Sequence, residues 1–324
     1  MRGTLDTAGE RLSIECALPW VADLIAEATV GELRSAPTAD GSLRVRVEAQ
    51  RRPFDTRGWQ LLTRGAWRRD GEVVIENACT AGFDLHFRQR RDCAQFTYRW
   101  RPPLRDRAAA RALRSRFHLL ARAVLIQYPA LWWAGTRGRV PLHAAACVAG
   151  SATPLLASPG GIGRSTLVLA ELASGGRATS DNLAVADGTT VWGVVEPIRV
   201  AGGPGRRMPH GRHEAPLEHR VGSLEPDCLI IVERGTLDRA SLVTCGSDAA
   251  ARALISSTYM AGELRRYWPF AATIGAGSGI GPAHPPIAEV AWELARALPC
   301  FFLALGATPT IRLSELLDRV GVAA

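Results

Sequence analysis

The sequence predicts an α/β protein, with a phosphate-loop core in its C-terminal part and an N-terminal α+β region before it. Three observations carry this expectation. Residues 157–166 read Ala157-Ser-Pro-Gly-Gly-Ile-Gly-Arg-Ser-Thr166, a glycine-rich turn between an apolar strand candidate and an apolar helical pattern. Beyond residue 138 strand-like and helix-like segments alternate, as they do where helices layer a sheet. Between Trp59 and Trp100 short runs alternate apolar and polar residues, as antiparallel strands with one wet face do.

The chain has 324 residues, 47% of them apolar and 22% charged, enough for one large domain or two. Its formal net charge is +8, and every basic residue is an arginine. The absence of lysine fits a genome rich in arginine codons, or a protein that avoids amines near an amine-reactive product. A basic balance suits phosphate-rich ligands or an acidic peptide. The arginines are dispersed and no nucleic-acid module is recognisable, so no nucleic-acid partner is expected. No apolar run reaches the ~18 residues that would suggest a membrane helix. The N-terminal stretch lacks the apolar core of a secretion signal. The seven cysteines are scattered, with no CxxC or Cys/His metal spacing. A cytoplasmic protein with reduced thiols is the expectation, without membrane partners.

Element by element, residues 11–17 and 43–50 alternate as strands, and 19–30 carry the apolar spacing of an amphipathic helix. Residues 73–75, 83–87 and 95–100 extend the strand pattern into an antiparallel meander that Pro102 and Pro103 stop. Arg105 to Tyr128 reads as one long helix with Leu113, Phe117, Leu120, Ala121, Val124 and Leu125 on its apolar face. Gly135 to Gly138 reads as a hinge, giving an expected division into residues 1–138, with a role in substrate recognition, and 139–324. In the second part, 140–148 and 154–157 are strand candidates and 163–173 a helix. Residues 183–186 and 191–195 are further strand candidates. The continuous apolar runs 228–232 and 300–305 read as buried strands. Residues 247–273 read as a helix interrupted at Pro269, and 287–298 and 313–320 as helices.

The chemistry of the loop follows from its residue types. Gly160, Gly161 and Gly163 can adopt positive φ, letting backbone N–H groups converge on an anion. The helix that begins near Arg164 adds the positive end of its dipole. His143, in Pro141-Leu-His-Ala-Ala-Ala-Cys-Val148, precedes the loop, and Ser180-Asp-Asn182 follows the helix. These three motifs together resemble the C-terminal domain of HPr kinase/phosphorylase. They resemble more closely the shorter HPr-kinase-like proteins of bacterial biosynthetic clusters, some of which phosphorylate a serine of a peptide precursor. The resemblance spans roughly residues 140–200.

It implies a phosphate-loop fold related to that of phosphoenolpyruvate carboxykinase. It also implies ATP and Mg²⁺ as cofactors, and a hydroxyl acceptor on a peptide, carrier protein or small molecule. Ser158, Gly160, Gly161, Gly163, Arg164, Ser165 and Thr166 would hold the phosphates, and Ser165 and Asp181 the metal. Asp181 would act as base, with His143 and Arg164 beside the transferred group. The parent family also forms oligomers, so a homo-oligomer is among the expectations. The chain departs from the family pattern at Ser158 (usually glycine), Arg164 (usually lysine) and Asn182 (usually a second carboxylate). Arginine is a larger, planar, forked donor and not a like-for-like replacement. The same features therefore also fit a phosphate-binding scaffold or regulator without turnover.

Other readings of single residues stay open. His143 also reads as a core histidine, and Asp181 as a strand-end residue. Glu196 and Arg199 read as site-lining or as solvated strand ends. Arg206, Arg207, His210, Arg212 and His213 form a basic loop over an anion or a merely exposed one. Arg265 and Arg266 lie beside aromatics, at a peptide-binding wall or a packed helix end.

Overall fold

The computed structural model describes residues 1–36, 41–90, 92–203, 205–208, 211–235, 239–306 and 312–320. The chain is mixed α/β and divides into two compact units. The first comprises Met1–Arg137, Pro204–Glu214 and Arg266–His284, and the second Gly138–Gly203, Ala215–Arg265 and Pro285–Ala324. The division at residue 137 coincides with the glycine-flanked segment. Two later segments return to the first unit, which no local sequence pattern signals. His210 lies outside the described residues.

The first unit is built on one nine-stranded sheet. Its strands are β1 (Arg2–Thr7), β2 (Glu10–Cys16), β3 (Arg34–Ser35), β4 (Leu43–Glu48), β5 (Gln60–Thr63), β6 (Ala66–Arg69), β7 (Glu72–Ile75), β8 (Phe83–Arg90) and β9 (Cys93–Trp100), in the order β3-β1-β2-β4-β9-β8-β7-β6-β5. From β5 to β9 the strands form the antiparallel meander expected from their alternation. The sheet is nonetheless mixed, because β4 pairs in parallel with both β2 and β9. Helix α1 (Pro19–Ala28) follows β2.

The expected single helix from Arg105 is a segmented one: α2 (Leu104–Ala112), α3 (Arg114–Arg122), a wide π turn at Ala123–Gln127 and α4 (Tyr128–Gly135). Leu113, at φ −115° and ψ 53°, breaks the first two apart. Pro129 explains the wide turn. It brings no N–H to the ladder, and the Tyr128 N–H reaches back five residues to the Ala123 carbonyl. The Val124 carbonyl accepts instead from the buried Tyr98 phenol, 2.6 Å away. Trp132 of α4 packs on Phe87 and Phe96 of the sheet, with ring centroids 4.8 and 5.9 Å apart. Phe270 of α7 (Tyr267–Ser278) joins them at 6.2 Å from Phe96.

The second unit holds two sheets. Strands β11 (Ala144–Ala146), β12 (Pro154–Ala157), β18 (Cys228–Arg234), β20 (Cys300–Leu305) and β19 (Ser241–Thr244) form one in that order. Its three central strands are parallel, and β11 and β19 run antiparallel at the edges. Strands β10 (Val140–Leu142), β13 (Ala184–Ala186), β14 (Val191–Gly193) and β17 (Ser223–Leu224) form the second, all antiparallel. Among the described residues two further short strands are β15 (Ile198–Ala201), in the second unit, and β16 (Arg212–Ala215), of which Arg212–Glu214 fall in the first.

Residues 140–148, read as one strand, are therefore two strands in different sheets, and His143 is the residue between them. Its N–H is given to the Thr258 hydroxyl at 3.2 Å rather than to a strand. Helix α5 (Arg164–Ala173) follows β12 and shares a core with α9 (Leu313–Val320). Leu167, Val168 and Leu172 meet Leu313, Leu316 and Leu317 there, over Leu156, Ile230 and Leu303 of the sheet. Helix α6 (Ser247–Tyr259) packs on β18, β20 and α8 (Ile287–Ala297).

The helix read over 247–273 breaks at Met260 and resumes at Tyr267, not at Pro269. Pro269 sits in the first turn of α7, where backbone N–H groups have no intrahelical acceptor to lose. Among the described residues no helix is long and apolar enough to cross a membrane. All seven cysteines are unpaired.

Candidate functional site

The glycine loop joins β12 to the N-terminus of α5, as its sequence requires. Gly161 and Gly163 take φ of 81° and 132°, whereas Gly160 needs no positive φ, contrary to expectation. Residues Pro159, Gly160 and Gly161 are exposed, Ser165 half-buried and Thr166 exposed, while Ser158 is buried. The loop thus offers main chain to solvent at a helix start where, among the described residues, the Arg164 and Ser165 N–H groups have no acceptor, while the Thr166 N–H turns back to the Gly163 carbonyl at 3.0 Å. A β-carbon on Gly163 would lie 2.7 Å from the Leu305 Cδ1, a side-chain end that can shift, so it is the φ of 132° that disfavours a side chain here.

Arg164 turns away from that mouth. It is 4% exposed, and its guanidinium donates only to interior groups. Nε reaches the Asp181 carbonyl at 3.2 Å, and Nη1 the His143 carbonyl at 2.8 Å. Nη2 meets the His143 Nε2 at 3.1 Å and the Asn182 Oδ1 at 3.2 Å. The residues singled out from the sequence do converge: His143, Arg164, Asp181 and Asn182 make one hydrogen-bonded cluster, and Ser158 joins it through its carbonyl.

The partners fix the state of His143. The Ser158 carbonyl, 3.0 Å from Nδ1, can only accept, so Nδ1 carries the proton. Arg164 can only donate, so Nε2 is the bare acceptor, and the ring is neutral. Burial, and then the Arg164 charge, pull its pKa from 6.5 down to about 3. This has a thermodynamic consequence of definite sign. Unfolded, the imidazole takes a proton below about pH 6.5; folded, it refuses one until about pH 3. Stability is therefore lost as pH falls through that window. Imidazole ¹⁵N shifts at pH 5 are expected to show His143 neutral and Nδ1-protonated. A titration midpoint between pH 6 and 7 would contradict the arrangement.

Carboxylates surround the two cations. Asn182 donates its amide to the Asp181 Oδ2 at 2.9 Å. Asp181 is fully buried, and its Oδ1 has no hydrogen-bond partner among the described residues. Glu196, 1% exposed, accepts the N–H groups of Asn182 and Leu183 on Oε1 at 2.9 and 2.8 Å. It is an interior brace for the 181–183 turn, not a solvated strand end. Arg199 donates to the Glu263 Oε1 at 2.9 Å. Burial alone would lower the Arg199 pKa, but Glu263, Glu196 and Asp181 together raise it. For Arg164 burial wins and the pKa is lowered, with Asp181, Glu196 and Glu263 offsetting part of the cost. Three carboxylates thus face two guanidinium groups, a formal excess of one negative charge. Glu263 was not read from the sequence. Its only signal is proximity in sequence to the basic, aromatic stretch 265–270, whose Arg265 and Arg266 are themselves exposed.

The donor set for a divalent cation is modest. Among the described residues no group of three or more His, Cys, Asp or Glu could hold a metal. The Ser165 hydroxyl and the unpartnered Asp181 oxygen are hard oxygen donors of the kind Mg²⁺ takes. That ion commonly binds through one or two carboxylates plus phosphate oxygens of the substrate. The residues fit Mg²⁺ only together with a bound phosphate. The described residues of the basic loop belong to the first unit, where Arg206 pairs with Glu27. No protein-family model matches the chain, and no curated protein matches it.

Proposed function

We propose that the second unit is an HPr-kinase-like module that binds the phosphates of a nucleotide on the 158–166 loop through its backbone. In this reading Arg164 serves as an interior strut and not as the cation that grips the terminal phosphate. The observation that carries the reading is the exposed turn from β12 to α5, with Gly161 and Gly163 at positive φ, above an arginine whose three guanidinium nitrogens each bond to interior groups. Backbone N–H groups and a helix start suffice to hold a phosphate. The excess negative charge beneath the loop favours a nucleotide that arrives with Mg²⁺. A cytoplasmic setting suits both ligands.

Calorimetric titration of the intact chain with ATP, ADP and pyrophosphate, with and without Mg²⁺, tests the proposal. All three are expected to bind saturably and more tightly with Mg²⁺. Absence of saturable binding by any of them overturns it.

Phosphoryl transfer to a serine-type hydroxyl of a peptide, carrier protein or small molecule is a second reading. One observation favours it: the unpartnered Oδ1 of buried Asp181, a costly arrangement that a hydroxyl proton would relieve. In that reaction the acceptor oxygen bonds to the terminal phosphorus, the bond to the leaving ADP oxygen breaks, and Asp181 takes the hydroxyl proton. Mass-spectrometric assay of serine-containing acceptors with ATP is expected to show transfer that Asp181→Asn abolishes while ATP binding persists. Wild-type-like transfer by Asp181→Asn removes Asp181 from the base role.

A further inference from the structure

The first unit contains a cavity of about 840 Å³ that the phosphate loop plays no part in. Its wall is aromatic. Trp20 of α1 lies with its ring centroid 5.1 Å from Trp100 and 6.1 Å from Phe117, and the latter two are 5.4 Å apart. Trp20 remains 40% exposed, so the wall presents a free ring to the cavity. The rim is cationic, with Arg51, Arg107, Arg111, Arg114 and Arg206 facing only Asp23 and Glu27. Glu27 is already taken up by Arg206 and by the His118 Nδ1 at 3.3 Å. Burial, and then Arg206, lower the His118 pKa, so that ring adds no charge of its own near neutral pH. Among the described residues Arg51, Arg107, Arg111 and Arg114 have no ion-pair partner.

Helix α2 explains why these arginines stand there. It buries none of its residues, and Arg107 and Arg111 are one turn apart on it. A surface helix with no apolar contribution to the core keeps a row of unpaired guanidinium groups beside three aromatic rings. The core does not need them there. A ring stacked on Trp20 with an acidic substituent toward the rim would satisfy both chemistries, since guanidinium groups bind anions and lie favourably over aromatic faces. The volume is within the usual range for small-molecule sites.

We infer that this cavity is a binding site for an anionic aromatic small molecule, a flat ring bearing a carboxylate or phosphate. The inference is independent of the phosphate-loop reading. Saturation-transfer NMR on the intact chain tests it with four probes: 2-naphthoate, 2-naphthylmethylammonium, acetate and AMP. The ring anion 2-naphthoate is expected to bind, and the ring cation and acetate are not. AMP binding that falls with 2-naphthoate binding in Arg111→Glu would place the natural ligand among nucleotides. AMP binding that this variant leaves unchanged, with 2-naphthoate still weakened, would place it among carbocyclic acids. Arg111→Glu leaves the core untouched and is expected to weaken 2-naphthoate about tenfold, as for loss of one charge-assisted contact. Trp20→Ala is expected to remove the ring contribution. Equal binding of the ring cation and ring anion, or unchanged 2-naphthoate affinity in Arg111→Glu, overturns the inference.

Discussion

Arg164→Met is expected to destabilise the second unit by about 3–5 kcal/mol, the range for removing one partner from a buried ionic network. The substitution keeps much of the side-chain volume but deletes every donor. The carbonyls of His143 and Asp181, the His143 Nε2 and the Asn182 Oδ1 lose their partner together. Asp181, Glu196 and Glu263 are then left with Arg199 as the remaining cation named in their field. Two compact units need not unfold together, so the readout is hydrogen exchange of the β12 and β18 amides. Protection there is expected to drop by the stated amount, with β8 and β9 of the first unit unchanged. A loss below ~1 kcal/mol would mean that the guanidinium is not the strut described.

Gly163→Ala is expected to abolish phosphate binding and to cost the second unit about 2 kcal/mol. A φ of 132° is outside the regions an L-residue adopts readily, and the added carbon would press on the Leu305 Cδ1 at 2.7 Å. The Leu305 side-chain end can yield, but the backbone angle cannot be kept. The loop must then re-form with its N–H groups aimed elsewhere. Gly161→Ala is the informative companion, because its φ of 81° is strained while no atom lies within 4 Å of the added carbon. A loss of pyrophosphate binding in both variants, measured by calorimetry, attributes the effect to loop conformation and not to packing. Unchanged affinity in Gly163→Ala would remove the loop from the binding site.

Much of the second unit was legible because its signals are local. The strand, turn and helix around residues 157–166 announce themselves through apolar runs and glycine placement. The runs 228–232 and 300–305 could hardly be anything but buried strands. Convergence of His143, Arg164 and Asp181 was legible only through the resemblance. What the sequence could not reveal depends on contacts between distant segments. An apolar run looks the same whether it stays in one sheet or changes sheets, so the break at His143 was invisible. The inward turn of Arg164 depends on acceptors from residues 143, 181 and 182 being assembled at once. Glu263 enters the same field from far along the chain. In the first unit the meander was readable from alternation, but the parallel pairing of β4 with β2 and β9 was not, since period-two patterning carries no direction. The cationic cavity was not legible from any one segment, because its aromatic wall comes from α1, β9 and α3.

Binding of a phosphate on the backbone of the 158–166 loop is expected to leave Arg164 engaged inside. Titrating pyrophosphate with Mg²⁺ into ¹⁵N-arginine-labelled protein tests it most directly, with the Arg164 Nε–H signal assigned by its absence in Arg164→Met. Saturable binding is expected to shift backbone amides of residues 160–165 and to leave the Arg164 Nε–H protected and unshifted. Absence of binding, or binding that moves the Arg164 signal and exposes it to exchange, would contradict the account.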